Sequence, residues 1–157
     1  MLSPAESQSL LINVGEVSRS VVTLFDAQLR GLGFTAAKGR VLLFLARQGR
    51  AVGQAQVTAY LRVEGPTAVR ILDGLEAMGT IRRLADPSDR RAKLVELTPA
   101  GRPLAEQVVQ LTRDLNRELL KDVSAAEAEV TQAVFSKILA NVGSCAEHVT
   151  AAEVLSN

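Results

Sequence analysis

With a single cysteine and a single histidine in 157 residues, this sequence can neither close an internal disulfide nor assemble a thiolate or imidazole metal cage, which excludes stapled secreted folds and zinc fingers. It has no glycine-rich phosphate loop, and no carboxylate or hydroxyl pair stands at a spacing that points to acid–base or nucleophilic chemistry. An enzyme is therefore not expected, nor a resident metal or cofactor. No apolar run approaches the ~20 residues of a membrane span, and Met1 to Gln8 carries Glu6 but no Lys or Arg, unlike a secretory leader. The expectation is a cytoplasmic protein without membrane contact. Repeats, low-complexity runs and linkers are missing too, so at roughly 100–200 residues per domain the chain reads as one domain. Against these absences stand 47% apolar and 22% charged residues, the balance of a folded chain with a core.

The formal net charge is only +1, but it is segregated: residues 27–93 hold twelve Lys and Arg against five acids, a net of +7, while the remainder carries −6. Between Asp26 and Glu64 there are six basic residues and no acid. Such asymmetry suits a polyanion bound by the middle section alone, and it also fits a solvated basic surface.

Ser3-Pro4-Ala5-Glu6 has the spacing of a capping box and opens a helix whose apolar positions (Leu10, Val14, Val17, Val21, Leu24, and beside them Leu11, Val22, Phe25, Leu29) exceed one face. After Gly31-Leu32-Gly33, Thr35 caps a shorter helix that stops at Gln48-Gly49. Gln54–Leu61 forms a third helix, and Pro66 starts a fourth that runs to Met78 with Val69, Leu72, Leu75 and Met78 as its apolar stripe and Thr67 and Arg70 off it. Two short helices about a tight turn make a helix-turn-helix pattern. Residues 80–97 then alternate as a hairpin turned by Asp86-Pro87-Ser88-Asp89 and tipped with Arg90 and Arg91, and such a tip can enter a minor groove. Thr98-Pro99 caps a helix with Leu104, Val108, Leu111, Leu115 and Leu119, and Ser124-x-x-Glu127 boxes a last one with Val134, Ile138, Val142 and Cys145 on its stripe. The small middle cannot cover both long terminal helices, which predicts a homodimer.

The run Asp89-x-Arg91-x-x-x-Val95-x-Leu97-Thr98-x-x-Gly101 resembles the wing signature of the MarR family of winged helix-turn-helix regulators. Pro66 to Glu76, with Leu72-Asp73-x-Leu75-Glu76 and the following Gly79, is similar to that family's recognition helix, and Leu32-Gly33-Phe34-Thr35 with Val41-Leu42 to the start of its second helix. Glu64-Gly65-Pro66-Thr67 and Asp89-Arg90-Arg91-Ala92-Lys93 look closest to the SlyA-like branch.

The resemblance implies a mainly α (α+β) fold, in which residues 1–32 and 104–157 form a helical dimerisation region and 33–103 a winged helix-turn-helix lobe with a two- to three-stranded wing sheet. It implies a homodimeric transcriptional regulator, expected to repress, on a near-palindromic double-stranded DNA operator with half-sites about 34–36 Å apart. Pro66, Thr67 and Arg70 would meet bases and phosphates, Arg90 and Arg91 would serve the wing, and Arg91 would brace it against Asp73, together with Asp89. A small, aromatic effector of unknown identity would relieve binding. Gly74 departs from the family by standing where many relatives carry a long polar side chain. Alternatives are a winged-helix docking module that binds no DNA and a redox-responsive regulator acting through Cys145. The position of Cys145 on an apolar stripe favours a buried, inert thiol, and His148 is expected to be structural or exposed.

Overall fold

A computed structural model describes residues 3–89 and 91–155, with side chains to residue 145. The elements run α1 (Pro4–Arg30), α2 (Ala36–Gln48), β1 (Val52–Gly53), α3 (Gln54–Leu61), α4 (Gly65–Ala77), β2 (Ile81–Ala85), β3 (Lys93–Leu97), α5 (Gly101–Leu119) and α6 (Ala125–Leu155). The chain divides into two units, residues 1–116 and 117–157.

In the first unit, α1 starts at the expected box: Ser3 N–H donates to Glu6 Oε2 at 2.8 Å, and Glu6 N–H returns a bond to Ser3 Oγ at 3.3 Å. Only its C-terminal end enters the core. Leu29 is fully buried against α2, where Gly39 leaves it room, while Leu10, Leu11, Val17, Val21 and Val22 stay exposed. Asp26 fastens the same junction, accepting Ala36 N–H at 2.7 Å and pairing with Arg30 at 2.5 Å. The Ala36 amide, then Arg30, hold the Asp26 carboxyl below its ordinary range. Thr35 caps α2, and left-handed Gly49 closes it.

The core gathers Val41, Leu42 and Leu45 of α2, Val57 and Leu61 of α3, Leu72 and Leu75 of α4, Ile81, Val95 and Val52 of the sheet, and Val108 of α5. The sheet is antiparallel in the order β1-β3-β2, with Val52 opposite Val95 and Arg82 opposite Glu96. One detail departs from the sequence reading. The buried side of α4 is Ala68, Leu72 and Leu75, whereas Val69 and Met78 are 37% and 43% exposed. Besides Leu72 and Leu75, the core needs a small residue at 68, and the apolar stripe drawn through Val69 and Met78 lies off that face. The cap read at Thr98 stands, with Pro99 and Ala100 as its turn: Thr98 Oγ1 accepts the Gly101 N–H three residues on at 2.9 Å and the Thr98 carbonyl accepts the Arg102 N–H at 3.1 Å, so that α5 runs on from Gly101.

That turn ties four elements together. Thr98 Oγ1 donates to the Gly79 carbonyl at 2.6 Å, Thr98 N–H to the Thr80 carbonyl at 3.1 Å, and buried Thr80 Oγ1 to the Leu75 carbonyl of α4 at 2.8 Å. Gly101 packs so closely on Thr80 that a Cβ would overlap the Thr80 carbonyl. The Leu97-Thr98-x-x-Gly101 run is thus a packing requirement.

In the second unit, α6 opens at the predicted box, Ser124 N–H donating to Glu127 Oε2 at 2.9 Å. The serine hydroxyl and amide hold Glu127 below its ordinary range. Val130, Phe135, Leu139 and Val142 are exposed along α6. Cys145 is exposed as well, whereas Val134 and Ile138 of the same stripe are half-buried, which corrects the expectation of a buried thiol. His148's side chain lies outside the described residues.

Candidate nucleic-acid interface

Helix α4 presents its outer side because Ala68, Leu72 and Leu75 face the core. Pro66, Thr67, Arg70 and Asp73 are all exposed, and the spacing 66-70-73-77 puts one line of side chains along the helix. The helix is delivered by a turn with an unusual conformation. Arg62 caps α3 at φ 54°, in the left-handed region, with its amide held by the Thr58 carbonyl at 3.1 Å. Gly65 and Pro66 then start α4 after extended Glu64.

The second exposed element is the hairpin. Asp86 accepts Ser88 N–H at 2.8 Å and Ser88 Oγ at 2.6 Å, and Asp89 accepts Arg91 N–H at 2.8 Å. The two acids therefore build the turn, and the Ser88 hydroxyl and amide hold Asp86 below its ordinary range. Arg91 is exposed beside the start of α3, lining a recess of about 300 Å³ with Gly53, Gln54, Thr58 and Lys93. Arg90 lies outside the described residues.

The brace between wing and α4 is made by Arg83. Its guanidinium pairs with Asp73 and stands 3.7 Å from Glu76, and its amide donates to Glu76 Oε1 at 3.0 Å. Among the described residues no pair joins Arg91 to Asp73, the partner the resemblance suggested. The signal for Arg83 was legible: in a strand, residues two apart share a face, so a buried Ile81 carries Arg83 inward with it.

Charge sorts itself accordingly. Arg82 pairs with Glu96 at 2.6 Å across the strands, and Arg40 turns in to donate to the Tyr60 carbonyl at 3.1 Å with its guanidinium 5.5 Å over the Tyr60 ring. Arg47, Arg50, Arg62, Arg70, Arg91 and Lys93 remain exposed. Part of the +7 thus serves the fold, and the rest is open to a polyanion. Among the described residues no cluster of His, Cys, Asp or Glu could hold a metal, and no helix is long and apolar enough to cross a membrane.

Comparison with known proteins agrees with this arrangement. A family profile described as MarR family matches residues 32–92. The multiple antibiotic resistance protein MarR of Escherichia coli (strain K12) is 33% identical over 117 residues, covering 74% of this chain and 81% of that protein. Among solved structures, a mutant MarR from E. coli complexed with operator DNA superimposes with a TM-score of 0.74 at 31% identity, covering 83% of this chain and 94% of that one. The S. aureus MepR–DNA complex does so at 0.75 and 26%, covering 86% and 97%.

Proposed function

Because the chain belongs to the MarR family of DNA-binding transcriptional regulators, we propose that it works as a homodimer that reads a near-palindromic operator and represses from it. One α4 from each copy enters successive major grooves with Pro66, Thr67 and Arg70 toward bases and phosphates, and Arg90 and Arg91 of each wing reach the flanking minor groove. The observation that carries this reading is the exposed Pro66–Arg70 face of α4, locked to the wing through Arg83, Asp73 and Glu76. Two recognition surfaces fixed in one rigid lobe suit a duplex, whose grooves have a fixed separation.

The exposed apolar residues of α1 and α6 support dimerisation by these helices, with 1–32 and 104–157 as the pairing region and 33–103 as the reading lobe. A small effector then acts by changing the distance between the two lobes. The SlyA-like affinity rests on Glu64 to Thr67 and Asp89 to Lys93, and a cytoplasmic location follows from the role.

Fluorescence anisotropy with labelled DNA from upstream of the protein's own gene, and with duplex selected from a random pool, tests the proposal. Tight binding that survives unrelated competitor, falls log-linearly with salt and drops on Arg70→Ala and on Arg90→Ala supports it. Binding no tighter than to random duplex, indifferent to both variants, would point instead to a docking module.

A further inference from the structure

The side-chain surface of α4 has a gap at Gly74, and another helix fills it. A Cβ built on Gly74 would stand 2.9 Å from Cε and 3.0 Å from Nζ of Lys38, so the outer end of the Lys38 chain lies directly against the α4 backbone. Its ammonium reaches Met78 Sδ at 3.5 Å, one turn further along. A thioether is a weak acceptor and leaves most of the three N–H donors unsatisfied. Lys38 is half-buried and pairs with no carboxylate among the described residues.

Stability of the free protein does not account for this charge. Lys38 occupies the first turn of α2, where a cation opposes the helix dipole, and no acid sits in that turn to offset it. What the position does provide is a flanking charge. Gly74 follows Arg70 at i+4 and is half-buried beside the exposed 66-70-73-77 line, so an ammonium laid over it stands at the edge of that line, toward the C-terminal end of α4.

We propose that Lys38, held over Gly74, supplies a phosphate contact to bound DNA from outside the reading helix, in place of the side chain that residue 74 lacks. The inference rests on the role of α4 proposed above. Phosphate is the partner that fits a single ammonium lying at the flank of the helix: a point charge with no planar fork positions the duplex without reading its sequence. Gly74 is then a clearance for a neighbour's side chain, which explains a glycine in the interior of a 13-residue helix despite its poor helix propensity.

The test compares the full-length wild type with Lys38→Met, Lys38→Arg, Gly74→Ala and the Lys38→Met/Gly74→Ala double variant. Each is titrated by anisotropy across salt on a duplex selected by the wild type and on a random one. Lys38→Met and Gly74→Ala should each reduce the slope of log K against log salt by about 0.9 per subunit. The loss of affinity between ~50 and ~200 mM salt then shrinks roughly 3.5-fold per contact removed, equally on both duplexes. Lys38→Arg should keep the slope, and the double variant should lose no more than either single one. Gly74→Ala should meanwhile melt at or above the wild-type temperature, because alanine is the better helix former and only the flexible end of Lys38 must yield. Weaker DNA binding in a protein no less stable is an outcome that a packing role would not produce. A wild-type slope in either Lys38→Met or Gly74→Ala overturns the inference. Failure of the wild type to bind any duplex overturns instead the reading of α4 beneath it, and shows before a variant is made.

Discussion

Substituting Gly101 by alanine should be among the most damaging single-methyl changes available in this chain. The backbone at 101 is not in the left-handed region, so alanine carries no conformational penalty there, and the whole cost is steric. The added Cβ would overlap the Thr80 carbonyl oxygen and lie 2.7 Å from the carbonyl carbon and 2.9 Å from Cα. Both sides of the clash are backbone. The Thr80 carbonyl is held by the Thr98 amide at 3.1 Å and the Gly101 amide by Thr98 Oγ1 at 2.9 Å, so relief requires breaking the tie between β3 and α5. Overpacking against unyielding atoms costs about 3 kcal/mol, less a few tenths regained from helix propensity. Gly79 provides the internal comparison, with φ 67° and nothing within 4 Å of its absent Cβ. Alanine there meets only the left-handed penalty, about 1 kcal/mol. At about 2–4 °C per kcal/mol for a chain of this size, Gly101→Ala should melt about 6–12 °C below wild type and Gly79→Ala about 2–4 °C below. Calorimetry or circular dichroism melts read both. Gly101→Ala melting no lower than Gly79→Ala would refute the reasoning.

Two further outcomes follow from other contacts. Arg83→Met removes a guanidinium that is 20% exposed and pairs with an Asp73 that is 57% exposed. Stability should fall by about 1 kcal/mol, since the freed carboxylates regain water, while operator affinity measured well below the melting temperature falls at least tenfold because wing and α4 lose their register. Equal affinity in the variant would show that the brace does not serve recognition. The Asp26 carboxyl is depressed below its ordinary 3.8, so its stabilising contribution is full above that value and disappears as pH falls through the lower folded-state value. The melting temperature of wild type should therefore drop below about pH 4 more steeply than that of Asp26→Asn, and parallel curves would contradict the assignment.

Signals carried by neighbouring residues were legible in the sequence. Both capping boxes and the Thr35 cap depend on residues three or four positions apart, the hairpin on a two-residue alternation about a turn, and these stand in the structure as read, as do the bounds of α3. What escaped depended on distant partners. Val69 and Met78 satisfy a helical period as well as Ala68 does, and only the packing of α2 and α3 against α4 decides which is buried. The wing brace is made by Arg83, whose inward face the buried Ile81 two residues before it did signal, while its partners Asp73 and Glu76 on α4 had to be seen in the fold. Lys38 on Gly74 joins positions 36 apart, and no local pattern announces it. Cys145 fits the apolar spacing of α6, and only the packing around that helix decides that it is exposed.

The tie at Thr98 also governs how force moves through the lobe. From the first residue of α5 to the Leu75 carbonyl near the end of α4, the connection runs through Thr98 and Thr80 by short hydrogen bonds, with a glycine pressed against backbone. It contains no slack: torque applied to α5 reaches α4 as rotation. Amides at 80, 98 and 101 should accordingly exchange with solvent together, as one latch opening, and a change imposed on α5 from a distance would steer α4 as a rudder is steered by its stock.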